Sequence, residues 1–400
     1  MMRRVYMDAN ATTPLLPEVL EAMQPCFVER FGNASSVHSF GQQARGAVEQ
    51  ARIKVAALLH CRPAEIVFTS GGTESDNLAL FGATGPGDHV ITTTIEHHAV
   101  LHAAEQLEKS GREVTFIPVD GDGVVDPEDV RRALRPNTRL ISVMMANNET
   151  GAIQPVETIG AIAVEAGVQF HTDAVQAASK LPMHIEKIGC NLLSLSGHKF
   201  HAPQGTGVLF VRKDTKIEPL MYGGTHERQR RAGTENLAGI VGLGKAAEIA
   251  ARSLEDGSTQ QIATLRDRLQ SKILARVADA GVHSGRVARV PNTTNMWFDH
   301  LEGEALVISL DLKGLAVSGG SACASGASEP SHVLTAMRVP ADRARASLRF
   351  SLSKLTTAED VDYAIEIVPQ AVAKLRELSP FYRKNDTFLV NASPVATAQR

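Results

Sequence analysis

The sequence predicts an α/β fold, a large domain with a mostly parallel central sheet plus a smaller α+β domain. Three observations predict it. Between about residues 65 and 215, short β-branched runs alternate with helical patterns, the arrangement that builds a parallel sheet through crossover helices. The intervening segments carry helix punctuation: "PVETIGAIAVEAG" opens on Pro155, places Ile159, Ile162 and Ala163 at helical spacing, and stops at Gly167. From roughly residue 255 the pattern restarts as a second, shorter series of helices and strands.

Taken in order, "GQQARGAVEQARIKVAALL" sets Ala44, Ala47, Val48, Ala51, Val55 and Leu58 on one helical face and Arg45, Glu49 and Arg52 on the other. The strand candidates of the large domain are "EIVFTS", "HVITTT", "EVTFIPV", "RLISVMMAN", "VQFHTDA", "LLSLSG" and "GVLFVRK". A long helical stretch follows residue 234. Then come a helix over 257–279, the strand "NTTNMWFDH", the helix "EGEALVISLDLKG", the strand "ASLRFSLSK" and a helix over 357–378. The expected organisation is an N-terminal segment, 1–15, joined to the small domain, a large domain over 16–254, and a small domain over 255–380. A polar tail over 381–400 loses periodicity and is expected to be partly disordered or laid on the surface.

Composition narrows the function. With 43% hydrophobic and 21% charged residues and a formal net charge of -3, nothing favours nucleic acid or an anionic membrane. No apolar run approaches the ~18 residues of a membrane span. The two early arginines precede no apolar stretch, so no export signal is read. Cys26, Cys61, Cys190 and Cys323 stand alone, without a C-x-x-C pair, which fits a reducing cytoplasm.

Parallel α/β sheets bind ligands beyond the carboxyl ends of their strands, and three strand ends carry unusual chemistry. "EIVFTSGGTESDN" runs a strand through two glycines into a helix start, a setting for phosphate, although an ordinary glycine turn reads the same way. "VQFHTDAVQ" ends in Asp173 and Gln176; a carboxylate there either caps the next helix or faces a protonated ring nitrogen. "LLSLSGHKFHAP" delivers Lys199 from an apolar strand, either a surface lysine at a turn or one that loses its charge in a Schiff base. In this order, phosphate turn, acid and lysine supply an anchor for each part of pyridoxal phosphate. His97 or His98, just past another strand, offers a ring to stack on it, and spacing leaves the choice open.

"VSGGSACASGASEP" surrounds Cys323 with small residues that give a thiol nothing to pack against. Cys26, Cys61 and Cys190 lie within apolar helix or strand patterns and read as small buried hydrophobes. Reactivity needs access and thiolate character, so Cys323 is the candidate nucleophile.

At these residues the chain resembles the cysteine desulfurases of the class V aminotransferase family. The matching motifs run in that family's order: "DANATT" (8–13), "FGNASSVHSFG" (31–41), "FTSGGTESDN" (68–77), "EHHAVL" (96–101), "ANNETG" (146–151), "HTDAVQ" (171–176), "SGHKFHAPQGTG" (196–207), "RRAGTEN" (230–236), "GSACASG" (320–326) and "SLRFSLSK" (347–354). Within the family, "HTDAVQAASKLP", "SEPSHVLTAM" and "KLRELSPF" are most similar to the nitrogen-fixation, NifS-like branch.

The resemblance implies a fold-type I pyridoxal-phosphate enzyme that converts L-cysteine to L-alanine and leaves a persulfide on Cys323. It implies Lys199 as the Schiff-base lysine, Asp173 on the pyridine nitrogen, and Gln176 and Asn148 near the phenolic oxygen. Gly72, Thr73, Ser196 and His198 would hold the phosphate, joined by Thr234 from a second subunit of a homodimer. His97 becomes the stacking and proton-transferring histidine, and Asn33, Asn148 and Arg349 the substrate carboxylate site. Through its persulfide, Cys323 would also be a transient iron-sulfur ligand when it meets an iron-sulfur scaffold protein as sulfur acceptor. Ala9, Gln204 and Gly319 depart from the commonest family pattern. The competing readings are a housekeeping iron-sulfur desulfurase, an aminotransferase or selenocysteine lyase on the same scaffold, and a docking subunit that only presents a persulfide.

Overall fold

The computed structural model describes residues 3–319 and 330–379. The loop around Cys323 and the tail over 381–400 lie outside the described residues. Strand β1 is Val5–Tyr6. All seven strand candidates of the large unit form: β2 (Ile66–Thr69), β3 (His89–Thr93), β4 (Glu113–Ile117), β5 (Thr138–Ser142), β6 (Gln169–Asp173), β7 (Leu192–Ser196) and β8 (Gly207–Val211). They make one sheet in the order β2-β8-β7-β6-β5-β3-β4. Only β8 runs against the rest, antiparallel to both β2 and β7.

The sheet is two-faced and apolar, as crossover helices on both sides require. Strands β6 to β8 are buried along almost their whole length. The helix Val156–Ala166 returns the chain between β5 and β6 and ends as its punctuation predicts, with Gly167 at φ 66° in the left-handed region. The helix Ser39–Leu59 buries the expected face, Ala44, Val48, Ala51, Val55 and Leu58, and it packs against the helix Leu237–Glu255. Arg52 sits on the predicted polar side yet is buried: its guanidinium grips both carboxylate oxygens of Glu227 at 2.8 Å.

The C-terminal elements are β9 (Ala280–Val282), β10 (Thr293–Phe298), β11 (Leu315–Ala316), β12 (Ser318–Gly319) and β13 (Ser347–Ser351). An antiparallel sheet runs β12-β13-β10-β9, while β1 pairs with β11 in parallel. Val5 and Met7 are buried in the same apolar cluster as Leu269, Phe298, Phe350 and Val368. The helix expected over 257–279 is shorter, Ser258–Leu274. Asp279, at φ 49°, turns the chain into β9, a strand too short to show alternation. Among the described residues no helix is long and apolar enough to cross a membrane.

Two cysteine placements differ from expectation. Cys26 lies in the short helix Pro25–Val28, but Cys61 follows the helix end at His60, and Cys190 precedes β7. Their chemistry is nonetheless that of inert thiols. Burial pushes Cys61 and Cys190 up to about 12 and raises Cys26 as well.

Candidate active site

The carboxyl ends of β2, β3, β5, β6 and β7 converge on a cavity of about 680 Å³. Gly72, Thr73, His97, Asn148, Asp173, Gln176, Ser196, His198, Lys199 and Arg349, ten of the residues singled out from sequence, line it. Asn33 and Thr234 do not. Both are exposed, and Asn33 Oδ1 accepts from the Ser35 N–H at 2.8 Å. The same chain therefore does not bring either to the cavity. Cys323 lies outside the described residues.

The phosphate end is built by close backbone approach. β2 leads through Ser70 and Gly71 into the helix Gly72–Ala83, whose N-terminus carries no side-chain cap, leaving backbone N–H groups for an anion. A Cβ on Gly72 would meet Val175 Cγ2 at 2.8 Å. On Gly207 of β8 it would meet the Gly71 Cα at 2.6 Å, so only glycine lets β8 pass under this turn. Glu74, a little further into the helix, bonds the Ser70 N–H and pairs with Arg231, which bends the turn back on itself.

At the other end, Asp173 closes β6 and accepts from the Val175 N–H at 2.8 Å. Burial pushes its carboxyl up to about 6, against the N–H bond and the Lys199 charge. Asp76, behind it on the phosphate helix, is raised by burial and then by Asp173 itself. Its Oδ1 has no hydrogen-bond partner among the described residues. His171 comes within 3.6 Å of it but is held neutral, pushed down to about 3 by burial, so this is no ion pair. Two buried acids with one unsatisfied oxygen suit a protonated ring nitrogen that faces them from the cavity.

Lys199 leaves β7 on a single 3₁₀ turn, and its Nζ donates to the carbonyls of Asn10 and Ala11 at 2.7 and 2.8 Å. His97 caps the helix His98–Lys109, with Nδ1 accepting from the Ala99 N–H. Burial first, and the Lys199 charge next, push His97 down to about 4. The neutral ring with Nδ1 occupied carries its proton on Nε2. His97 lines the cavity, and His98, which does not, packs against His102 and His332.

Arg349, central in β13, donates to the Asn148 carbonyl and to Asp8 Oδ1, and its Nε is unpartnered among the described residues. Asn148 Oδ1 is likewise unpartnered. Open hydrogen-bonding groups at both ends of a cavity, glycines that admit a phosphate and a lysine at a strand end fit pyridoxal 5'-phosphate. Among the described residues no cluster of His, Cys, Asp and Glu could hold a metal ion.

Sequence reasoning missed Asp8, Asn10 and Lys180, which bond Arg349, Lys199 and Gln176, and the buried Glu149, which accepts from the Ser331 hydroxyl. Asp8 and Asn10 stood in "DANATT" and Glu149 in "ANNETG", but a polar residue outside a regular element has no period to betray it. Of the departures from the family pattern, Gln204 lines the cavity and reaches Thr12 Oγ1 at 3.3 Å. Among the described residues nothing lies within 4 Å of where a Cβ on Gly319 would stand.

Such a site, at the carboxyl edge of a mostly parallel seven-stranded sheet, defines a fold-type I pyridoxal-phosphate enzyme. The chain belongs to the aminotransferase class-V family, whose model matches residues 5–364. A protein named cysteine desulfurase IscS from Dictyoglomus turgidum is 47% identical over 385 residues, spanning 95% of this chain and 98% of that protein. A solved structure described as a NifS-like protein superposes with a TM-score of 0.87 at 38% identity, covering 93% of this chain and all of that one. SspA in complex with cysteine superposes with a TM-score of 0.78 at 36% identity, over 88% of this chain and all of that one.

Proposed function

We propose that the protein is an L-cysteine desulfurase, with Lys199 as cofactor lysine and Cys323 as sulfur acceptor. The observation that carries the reading is Arg349, buried, held by Asp8 and Asn148, and lining the same cavity as Lys199. A guanidinium fixed at two points and still offering N–H groups suits a small amino-acid carboxylate. Relatives named cysteine desulfurase and a similar protein solved with cysteine agree with that choice.

When bound, pyridoxal phosphate supplies an electron sink that weakens the bonds of the attached amino acid. This chain's residues do the rest. Asp173, as a carboxylate, would keep the proton on the pyridine nitrogen, and Lys199 and neutral His97 would move protons at the substrate carbons. The Cys323 thiolate attacks the cysteine sulfur: a sulfur-sulfur bond forms, the carbon-sulfur bond breaks with its electron pair left on carbon, and one proton takes the place of sulfur there. The balance is L-cysteine plus a thiol giving L-alanine plus a persulfide, with no outside oxidant.

We further propose a homodimer in which Thr234 completes the partner's phosphate site. Its exposure, and that of Phe27, Phe31, Phe40 and Tyr222, supports a face that becomes covered. Division into domains over 16–254 and 255–380, with 1–15 joined to the latter, belongs to the same proposal, as does a cytoplasmic setting. The persulfide would pass to an iron-sulfur scaffold, with Cys323 a transient cluster ligand. Supply of general assembly is favoured by the IscS relative; a nitrogenase-directed role is the narrower reading. Incubating the holoenzyme with L-cysteine and counting alanine tests the activity, and absence of alanine would overturn it.

A further inference from the structure

Behind the cavity a second lysine, Lys180, sits part-buried on the loop after Asp173. Its Nζ donates to Gln176 Oε1 at 2.8 Å and to Asn10 Oδ1 at 3.2 Å, and among the described residues it bonds no carboxylate. An ammonium only donates, so both amides must turn their oxygens toward it. Gln176 is thereby left with its NH₂ group pointing away, and Nε2 donates to the Asn10 carbonyl at 3.0 Å. That carbonyl also accepts from Lys199 Nζ. Lys180, Gln176, Asn10 and Lys199 therefore form one hydrogen-bonded chain.

We propose that Lys180 is a positioning residue for the cofactor. It locks the Gln176 amide so that an N–H, never the carbonyl, is offered to the cavity, and its charge makes the nitrogen at Lys199 easier to deprotonate. The inference rests on Lys199 as the attachment point. Gln176 lines the cavity, and the second hydrogen on its Nε2 is uncommitted to Asn10, so an anionic oxygen there would be recognised and a hydroxyl donor would not.

The electrostatic half follows from the groups that face the pair. Arg349 on β13 adds a third cation, partly offset by Asp8. Asp173, at the end of β6, is an acid close enough to feel the Lys199 charge. His97 and His198 are both pushed down to about 4 by burial and then by neighbouring charge, and are neutral. His201, on the far side, is lowered by burial and feels Lys354 and Lys180 as further cations. Burial, then Lys199 and Arg349, push Lys180 down, while the Gln176 and Asn10 amide oxygens at 2.8 and 3.2 Å hold its charged form. Two ammonium groups bonded to one residue, Asn10, compete for protonation, and a proton on either nitrogen disfavours one on the other.

The test is a pH titration of the visible absorbance of purified holoenzyme, alongside Lys180→Met, Lys180→Gln and Lys180→Arg. Losing the cation raises the midpoint by about one pH unit, a tenfold rise in proton affinity, in Lys180→Met and Lys180→Gln. Lys180→Gln keeps a donor for the Gln176 oxygen and serves if Lys180→Met loses cofactor. Lys180→Arg returns the midpoint toward that of the parent. Midpoints within about 0.2 unit of the parent, in whichever neutral variants retain cofactor, overturn the inference. A visible band that persists in Lys199→Ala overturns the underlying attachment instead, so the two failures are distinct.

Discussion

Arg349 Nη2 donates to Asp8 Oδ1 at 2.8 Å, joining the middle of β13 to a residue just past β1. This pair aims a guanidinium at the cavity from two segments that are 341 residues apart. Arg349→Ala should therefore raise the KM for L-cysteine by about ten- to a hundredfold, the worth of ~1.5–3 kcal/mol of charge-assisted bonding. Asp8→Asn, which keeps the shape but frees the guanidinium, should raise it less. Steady-state kinetics of alanine formation checks both.

Gly207→Ala should lose cofactor without unfolding the sheet. Its Cβ would stand 2.6 Å from Gly71 Cα, which forces the phosphate turn outward. Pyridoxal phosphate content per chain should fall, with the far-ultraviolet spectrum unchanged.

The Arg52 and Glu227 pair is buried and bidentate, and Glu227 also accepts from the Phe68 N–H in the strand that leads to the phosphate turn. Removing one partner strands a charge: Arg52→Met or Glu227→Gln should cost about 3–5 kcal/mol in urea unfolding. Replacing both together by apolar residues should cost less than either single change.

Glu149 gives a stability effect with a definite sign. Burial pushes its carboxyl up to about 7, opposed by the Ser331 hydroxyl and the Arg349 charge. The folded state holds this proton more tightly than the unfolded chain does, so the contribution is full below about 4.5 and is lost as pH rises through 7. Comparing the pH dependence of Tm in Glu149→Gln with that of the parent isolates it. The parent should lose stability relative to the variant between about pH 5 and 8; parallel curves would contradict this.

Every strand of the large sheet was legible because each runs four residues or more between clear breaks. The strands that escaped, β1, β9, β11 and β12, have two or three residues, too few for alternation to register. In the site, Lys199 and Asp173 were legible because a charge at the end of an apolar strand demands an explanation. Lys180 and Asn10 were not, since their importance lies in which amide oxygen each turns, a property of three-dimensional contacts alone. Arg52 shows the opposite failure: helical period put it on the polar face, and Glu227, 175 positions away, covered it.

The most direct test of the account is a single turnover with L-cysteine labelled in sulfur and no reductant present. The account predicts one L-alanine released and one labelled sulfur retained per chain, on Cys323. Cys323→Ala should keep the visible absorbance and retain no label. Label retained in Cys323→Ala, or alanine released from the parent without protein-bound sulfur, would contradict it.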